Sequence, residues 1–356
     1  MSFLFKRNQP GFLKKPGKMT DTNLLTTITI VVFLVMYLCA IVFLKEGFLK
    51  PQTMLNLIST NSYLIILACG MSLVMITGGI DISVGGVTAL VSMCCAVYLE
   101  NNGGSVPVAI LMSVGIGLAF GLVQGFLVAY LDIQPFIVTL AGMFFARGMT
   151  TIVNANPINV TSNESFMSLK DTRIIIPLLG STTKKGKYIP ATIEIGVIVA
   201  LVIVAVLFVM LKWSKLGRSF YAVGGNRQSA LMLGINVRRT TFISHVLCGL
   251  LAGIGGFVYF MHIGSGSPAH ASGAEMNAIA SSIIGGTMLT GGVGNIIGTL
   301  FGVLSLVLIQ NIVSSIGLDQ AWWTGITIAA MLCIFLIIQS IIIAHRKKAN
   351  KAAGAA

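Results

Sequence analysis

The sequence predicts an all-α polytopic membrane protein of about ten transmembrane helices, some of them interrupted. Long apolar runs without charge recur from end to end of the 356 residues, and only 9% of residues are charged. Mean hydropathy is +0.92. Soluble domains carry roughly 25% charged residues, whereas about 20 consecutive apolar residues suffice to cross a bilayer as a helix. Forty glycines suit close helix contact and broken helices within a membrane.

Taken in order, residues 1–23 hold basic residues but no compact apolar region with a cleavage site, so they read as a cytoplasmic tail rather than a signal peptide. The apolar pattern then gives spans at 24–44, 54–77, 84–99, 106–130 and 135–153. Glycine-rich and polar turns separate them, notably TGGIDISVGG after the second and Asp132 with Gln134-Pro135 before the fifth. A polar segment at 154–190 reads as an outer, solvated loop or a contact for a partner. Further spans follow at 191–211, 241–262, 275–290, 295–316 and 322–344, and 345–356 reads as a disordered basic cytoplasmic tail. Spans three, five and eight are short or interrupted, so eight full spans with re-entrant segments is the alternative count.

Charge orients this pattern. Five basic residues in the N-terminal tail, six in 212–240 and four in the C-terminal tail put fifteen on one side. The other side receives seven: Lys45, Lys50, Lys170, Arg173, Lys184, Lys185 and Lys187. The positive-inside rule therefore sets both termini in the cytoplasm, in a multi-pass protein of the cytoplasmic (inner) membrane. The net charge of +13 is accounted for by this asymmetry, not by nucleic-acid binding. All six cysteines lie in apolar stretches, and no His or Cys set has metal-ligand spacing, so no metal site is expected.

The stretch 212–240 stands apart between two apolar blocks. Gly224-Gly225 makes a turn, Asn226 can cap the amides of Gln228 or Ser229, and Gly234 can close a helix about two turns later. A short capped helix with basic flanks, set between spans, reads as a surface gripped by another protein. The nearest approach to a phosphate-binding loop, Gly11 to Gly17-Lys18, has the wrong spacing, so any ATP-driven step belongs to another subunit.

Ionisable and polar groups at membrane depth are the candidates for a translocation path: Asp81, Ser83, Arg147, Glu275 and Asn277. For Asp81 or Ser83 the favoured role is capping the third span, with a cavity contact as the alternative. Arg147 either pairs within the bundle or snorkels outward. Glu275 fits a charge at a helix N-terminus before it fits a pathway wall. Trp322-Trp323 fits an interfacial aromatic belt. No catalytic constellation is visible. An ion-coupled secondary transporter would need midplane acids that are almost lacking here, so a permease driven by a separate ATPase is favoured over it.

Three motifs in order, ITGGIDISVGG, LGRSFYAVGGNRQSALMLGINV and EMNAIASSIIGGTMLTGGVGNIIGTLFG, resemble the ribose-type branch of ATP-binding-cassette sugar permeases. Within that branch LAGMFFARGMT, TLFGVLSLVLIQ and Trp322-Trp323 are most similar to the galactofuranose-importer type; ribose, other pentoses and a furanose-like signal stay open as substrates. The resemblance implies a second permease (the same or different), an ATPase with two fused nucleotide-binding halves that binds ATP and magnesium, and an extracytoplasmic sugar-binding protein. It implies no cofactor on this chain. It also implies two halves of opposite orientation, about spans two to five and seven to ten. Carried over residue by residue, its ATPase-coupling element comprises Gly217, Arg218, Tyr221, Gly224, Gly225, Asn226, Ala230, Gly234 and Ile235. The segment 154–190 matches no motif of the family.

Overall fold

The computed structural model describes residues 21–44, 48, 50–182, 188–317 and 321–354. Nearly all of the expected N-terminal tail, residues 1–20, lies outside the described residues. The chain begins with α1 (Asp21–Leu44), then α2 (Pro51–Thr60), α3 (Ser62–Ile76), α4 (Val84–Glu100), α5 (Val106–Tyr130) and α6 (Pro135–Val153). Proline opens α2, α5 and α6, where its missing N–H has no helical partner to lose. The second span is bent by 56° between α2 and α3. The cause is local: Asn61 Nδ2 and Ser62 Oγ donate to the carbonyls of Leu57 and Ser59, competing with the backbone ladder.

The outer segment corrects the all-α expectation. It folds into β1 (Ile158–Asn159), α7 (Glu164–Asp171), β2 (Arg173–Thr182) and β3 (Tyr188–Glu194). β2 and β3 form an antiparallel hairpin with Arg173 opposite Glu194. Ile174, Ile175 and Ile176 face a second strand containing Ile189, Thr192 and Ile193, and β-branched residues suit a pleated surface. Phe166 of α7 is fully buried against Phe260, with ring centroids 4.7 Å apart.

After the hairpin come α8 (Ile195–Trp213), α9 (Lys215–Gly225), α10 (Arg227–Met232), α11 (Val237–Ile263), β4 (Ser265–Gly266), α12 (Ala274–Ile284), α13 (Ile296–Ser315) and α14 (Ala321–Gly354). β4 pairs with β1. Six described helices are long and apolar enough to cross a membrane, or seven if the bent α2–α3 pair is one span. α4 and α12 are shorter, with 17 and 11 residues. The eighth span, expected over 275–290, stops at Ile284 because Gly286 takes a left-handed conformation (φ +89°) and Gly285 is wedged against Gly298. α14 runs on through the basic tail that was expected to be disordered. Lysine and alanine there are good helix formers, and nothing breaks the pattern before Gly354.

α3 is the centre of the bundle: every residue from Leu64 to Ile76 is buried, in contact with α8, α11, α12 and α13. α11 lies against α5 along Gly117 and Gly121 on one side and Gly249 and Gly253 on the other. A side chain at Gly249 would come within 2.5 Å of the Gly117 carbonyl oxygen, so the two backbones touch. The bundle has two distinct ends. Gln52, Glu100, the hairpin and 262–271 lie at one; 77–79, Asp132, 221–236 and 291–294 lie at the other.

Candidate functional site

At the second end, 212–240 folds much as its capping signals imply. Ser214 accepts from Gly217 N to start α9, and Asn226 accepts from Ser229 N at 2.9 Å to start α10. Gly234 (φ +77°) ends α10, with Ile235 N donating to Ala230 O at 3.0 Å and Gly234 N to Leu231 O. Asn236 then caps α11 through Arg239 N. Ala230 is buried against Val223, Val237 and half-buried Ile235, so the inner face of α10 is seated. Its outer end is not: Leu231, Met232 and Leu233 are 56%, 82% and 77% exposed. Three consecutive apolar side chains left exposed at the end of a doubly capped helix form a surface that asks for a partner.

α9 joins this surface to the bundle. Tyr221 donates to Gly294 O at 2.9 Å, and burial pushes its phenol up to about 12, so it stays a neutral donor. Gly217 and Gly224 are there for space: a side chain at Gly217 would meet the backbone of Met210 and Leu211, and one at Gly224 would meet Ile76 O and Gly292 N. Gly292 N donates to Ile76 O at 2.9 Å. The C-terminal end of α9, the end of α3 and the 288–295 turn thus touch backbone to backbone. Gly225, by contrast, faces open space. Arg218 is exposed, and its Nη1 donates to Trp213 O at 3.3 Å. Clefts of about 610 and 640 Å³ flank the element, the first beside Asn226 and Arg227, the second beside Arg218 and Tyr221.

Asp132 ties α10 to the turn before α6. It lies 2.7 Å from Arg227 and 3.9 Å from Arg238, and the Arg227 hydrogen bond, then the two positive charges, hold its carboxyl below the usual range. A carboxyl lowered in the folded state contributes stability that is present above its unfolded pKa of about 4 and lost as pH falls through the lower folded value. The pair is exposed, so its effect is on orientation more than on stability. Asp132→Arg is expected to reduce transport roughly two- to fivefold, as lost weak charge pairs do. Asp132→Arg with Arg227→Asp is expected to recover most of it, measured as initial uptake rates.

The membrane-depth candidates fall into two neighbouring groups at the start of α4. Asp81, 1% exposed, accepts from Ser83 N at 3.0 Å and from Ser83 Oγ at 2.6 Å. Asp81 thus closes an Asx turn onto Ser83, the residue that precedes α4, and no side chain caps the helix itself. Ser83 Oγ also meets Gln124 of α5 at 3.1 Å. Arg147 reaches toward the end of the bundle that carries 262–271, where it donates to the carbonyls of Pro268, His270 and Ala271. Glu275, 8% exposed, sits in the first turn of α12 with Oε2 against Gly85 of α4, and Ala271 O is at the same glycine. The first turns of two short helices thus meet at Gly85, beside the Glu275 carboxyl. Asn277 is half-buried one residue further into α12 than Met276. Trp322 is exposed and lies in α14.

Three features escaped sequence reasoning. Gln124 was visible as the one amide inside the apolar run 106–130, and that rarity was its signal. Asp132 could be read as a turn residue but not as the partner of Arg227, 95 positions away. The exposure of Met232 and Leu233 had no signal at all, since their neighbours look equally apolar. Among the described residues no group of three or more His, Cys, Asp or Glu side chains could hold a metal ion.

Comparison with known proteins adds an independent line. The family model described as branched-chain amino acid transport system / permease component matches residues 53–336. The inner membrane ABC transporter permease protein YjfF of Escherichia coli (strain K12) is 37% identical over 90% of this chain and 93% of its own length. The fructose import permease protein FruG of Bifidobacterium longum is 32% identical, covering 93% and 95%. The ribose import permease protein RbsC of Escherichia coli (strain K12) is 34% identical, covering 83% and 88%. No solved structure matches.

Proposed function

The chain belongs to the branched-chain amino acid transport system / permease component family, and from that premise we propose that it is the membrane-spanning subunit of an ATP-binding-cassette importer for a monosaccharide. It is a transport component and not an enzyme. The observation that carries this reading is α10: a short helix, capped at both ends, seated by Ala230 and presenting Leu231, Met232 and Leu233 to a partner. Relatives named for fructose and ribose support a neutral sugar as cargo.

The rest of the assembly follows from that role. The end bearing 212–240 faces the cytoplasm with both termini, and a separate ATPase with two nucleotide-binding halves grips α10 and carries the ATP and magnesium. A second permease completes the path. An extracytoplasmic sugar-binding protein delivers cargo to the end bearing the β2–β3 hairpin, whose Ile175, Tyr188 and Ile189 are more than half exposed. The ten-span count treats α4 and α12 as the broken members of two inverted halves, and the meeting of their first turns at Gly85 supports it.

Alternating access then has a physical route. Closure of the ATPase displaces α10; α9 carries the motion to the end of α3 and the 288–295 turn through the contacts of Gly224. A ligand shifts an equilibrium only by its differential affinity for the two states, so the lever must be rigid in both. The reading is tested in proteoliposomes containing the permease with its co-purified ATPase and binding protein. ATP-dependent uptake of labelled ribose, fructose or galactose is the expected result. Uptake driven by an ion gradient without the ATPase would overturn it.

A further inference from the structure

A buried polar notch opens into an otherwise apolar groove between α5 and α6. The groove holds about 400 Å³, walled by Phe120, Val123, Leu127, Val138 and Phe145, with Gln124 and Gly142 at its floor. Gln124 is only 3% exposed. One end of its carboxamide meets Ser83 Oγ; the other end has no partner and abuts Gly142, where a side chain would collide with it. The chain of contacts continues inward to Asp81, which is buried and lies beside the Cys248 thiol. Buried polar groups are nearly always hydrogen-bonded, and leaving one unmade is costly. An unmet amide end at the floor of a groove calls for something that visits.

The geometry points to Gln124 as the residue that a sugar hydroxyl contacts on its way through the membrane, with the α5–α6 groove as the wall of the path. This rests on the permease reading above. A hydroxyl both donates and accepts, so it complements a carboxamide from either end. Small-molecule sites are mostly apolar surfaces with a few placed polar groups. Here the tilted rings of Phe120 and Phe145, 6.0 Å apart, supply flat apolar surface for the C–H face of a sugar ring. The Asp81 side chain stays behind Ser83, so the groove presents a neutral amide to a neutral solute. A single amide end holds cargo weakly, and a conducting site must let go as readily as it binds.

The test uses the full complex of permease, ATPase and binding protein in ATP-loaded proteoliposomes. The probes are labelled ribose, fructose and galactose, and the one the wild type takes up fastest is used. Gln124→Leu is expected to lower uptake roughly tenfold, the fold-change of about one lost buried hydrogen bond. Its thermal midpoint is expected to hold or rise, because leucine removes an unpartnered amide end. Gln124→Asn keeps the amide and is expected to fall between the two. Phe145→Ala removes a wall residue that is 62% exposed and is expected to raise the apparent KM a few-fold. A drop in midpoint that matches the loss of uptake would make Gln124 a structural residue and overturn the assignment. So would wild-type uptake by Gln124→Asn and Phe145→Ala in the event that Gln124→Leu does not assemble, or by Gln124→Leu itself if it does. Failure of the wild-type complex to take up any probe with ATP would instead overturn the permease reading.

Discussion

Met232→Glu combined with Leu233→Glu is expected to release the permease from its ATPase while leaving it folded in the membrane. Both side chains are more than three-quarters exposed, so the substitutions take nothing from the core. What they change is the partner's side of the balance. Two apolar anchors at the tip of a rigid helix are the kind of residue whose loss costs about 2 kcal/mol or more apiece at a protein interface. The pair therefore weakens the complex on the order of a thousandfold or more if the costs add. Buried carboxylates without a partner can only enlarge the effect. Co-purification of the ATPase with tagged permease, alongside the thermal midpoint of the permease alone, measures both halves of the claim. A complex that survives the double substitution would show that another surface carries the ATPase.

The contrast between what was legible and what was not follows from the range of the forces involved. Asn226, Gly234 and the apolar run lengths act within a turn or a span, so the caps of α10 and the bounds of α4, α5 and α6 could be read directly. The strands within 154–190 are not legible because the Ile174–Ile176 run and the residues before Pro190 are cut short by prolines and too brief to announce a strand. It is the pairing of Arg173 with Glu194, and the 3.1 Å ion pair between them, that selects the hairpin. The pairing of Gln124 with Ser83 and of Asp132 with Arg227 depends on the packing of α5 against α4 and of α10 against the 132–135 turn. No local pattern encodes such contacts. For the same reason the partners of Arg147, the carbonyls of Pro268, His270 and Ala271, had no local signal.

Gly224→Val is expected to break coupling in a different way, with the ATPase still bound. The tip of α10 is untouched by this change, so docking persists. The joint behind it is not: a side chain at Gly224 has Gly292 N at 2.5 Å and Ile76 O closer still, both backbone atoms that cannot rotate aside. Overpacking of this kind costs about 1–3 kcal/mol. Since the neighbours are fixed within the bundle, the strain is relieved by lifting α9 off α3 and the 288–295 turn, which also threatens the Tyr221 bond to Gly294 O. A lever separated from its load still moves with the ATPase but delivers less of that motion. ATP hydrolysis is expected to stay within about twofold of the wild type while sugar uptake falls at least roughly tenfold, the shift that 1.4 kcal/mol produces. Gly225→Ala, one residue on, points its side chain into open space and is expected to lose less uptake per ATP than Gly224→Val. If Gly224→Val kept its uptake per ATP, motion would have to reach the bundle by the Asp132–Arg227 contact, and Asp132→Arg would then show the larger loss.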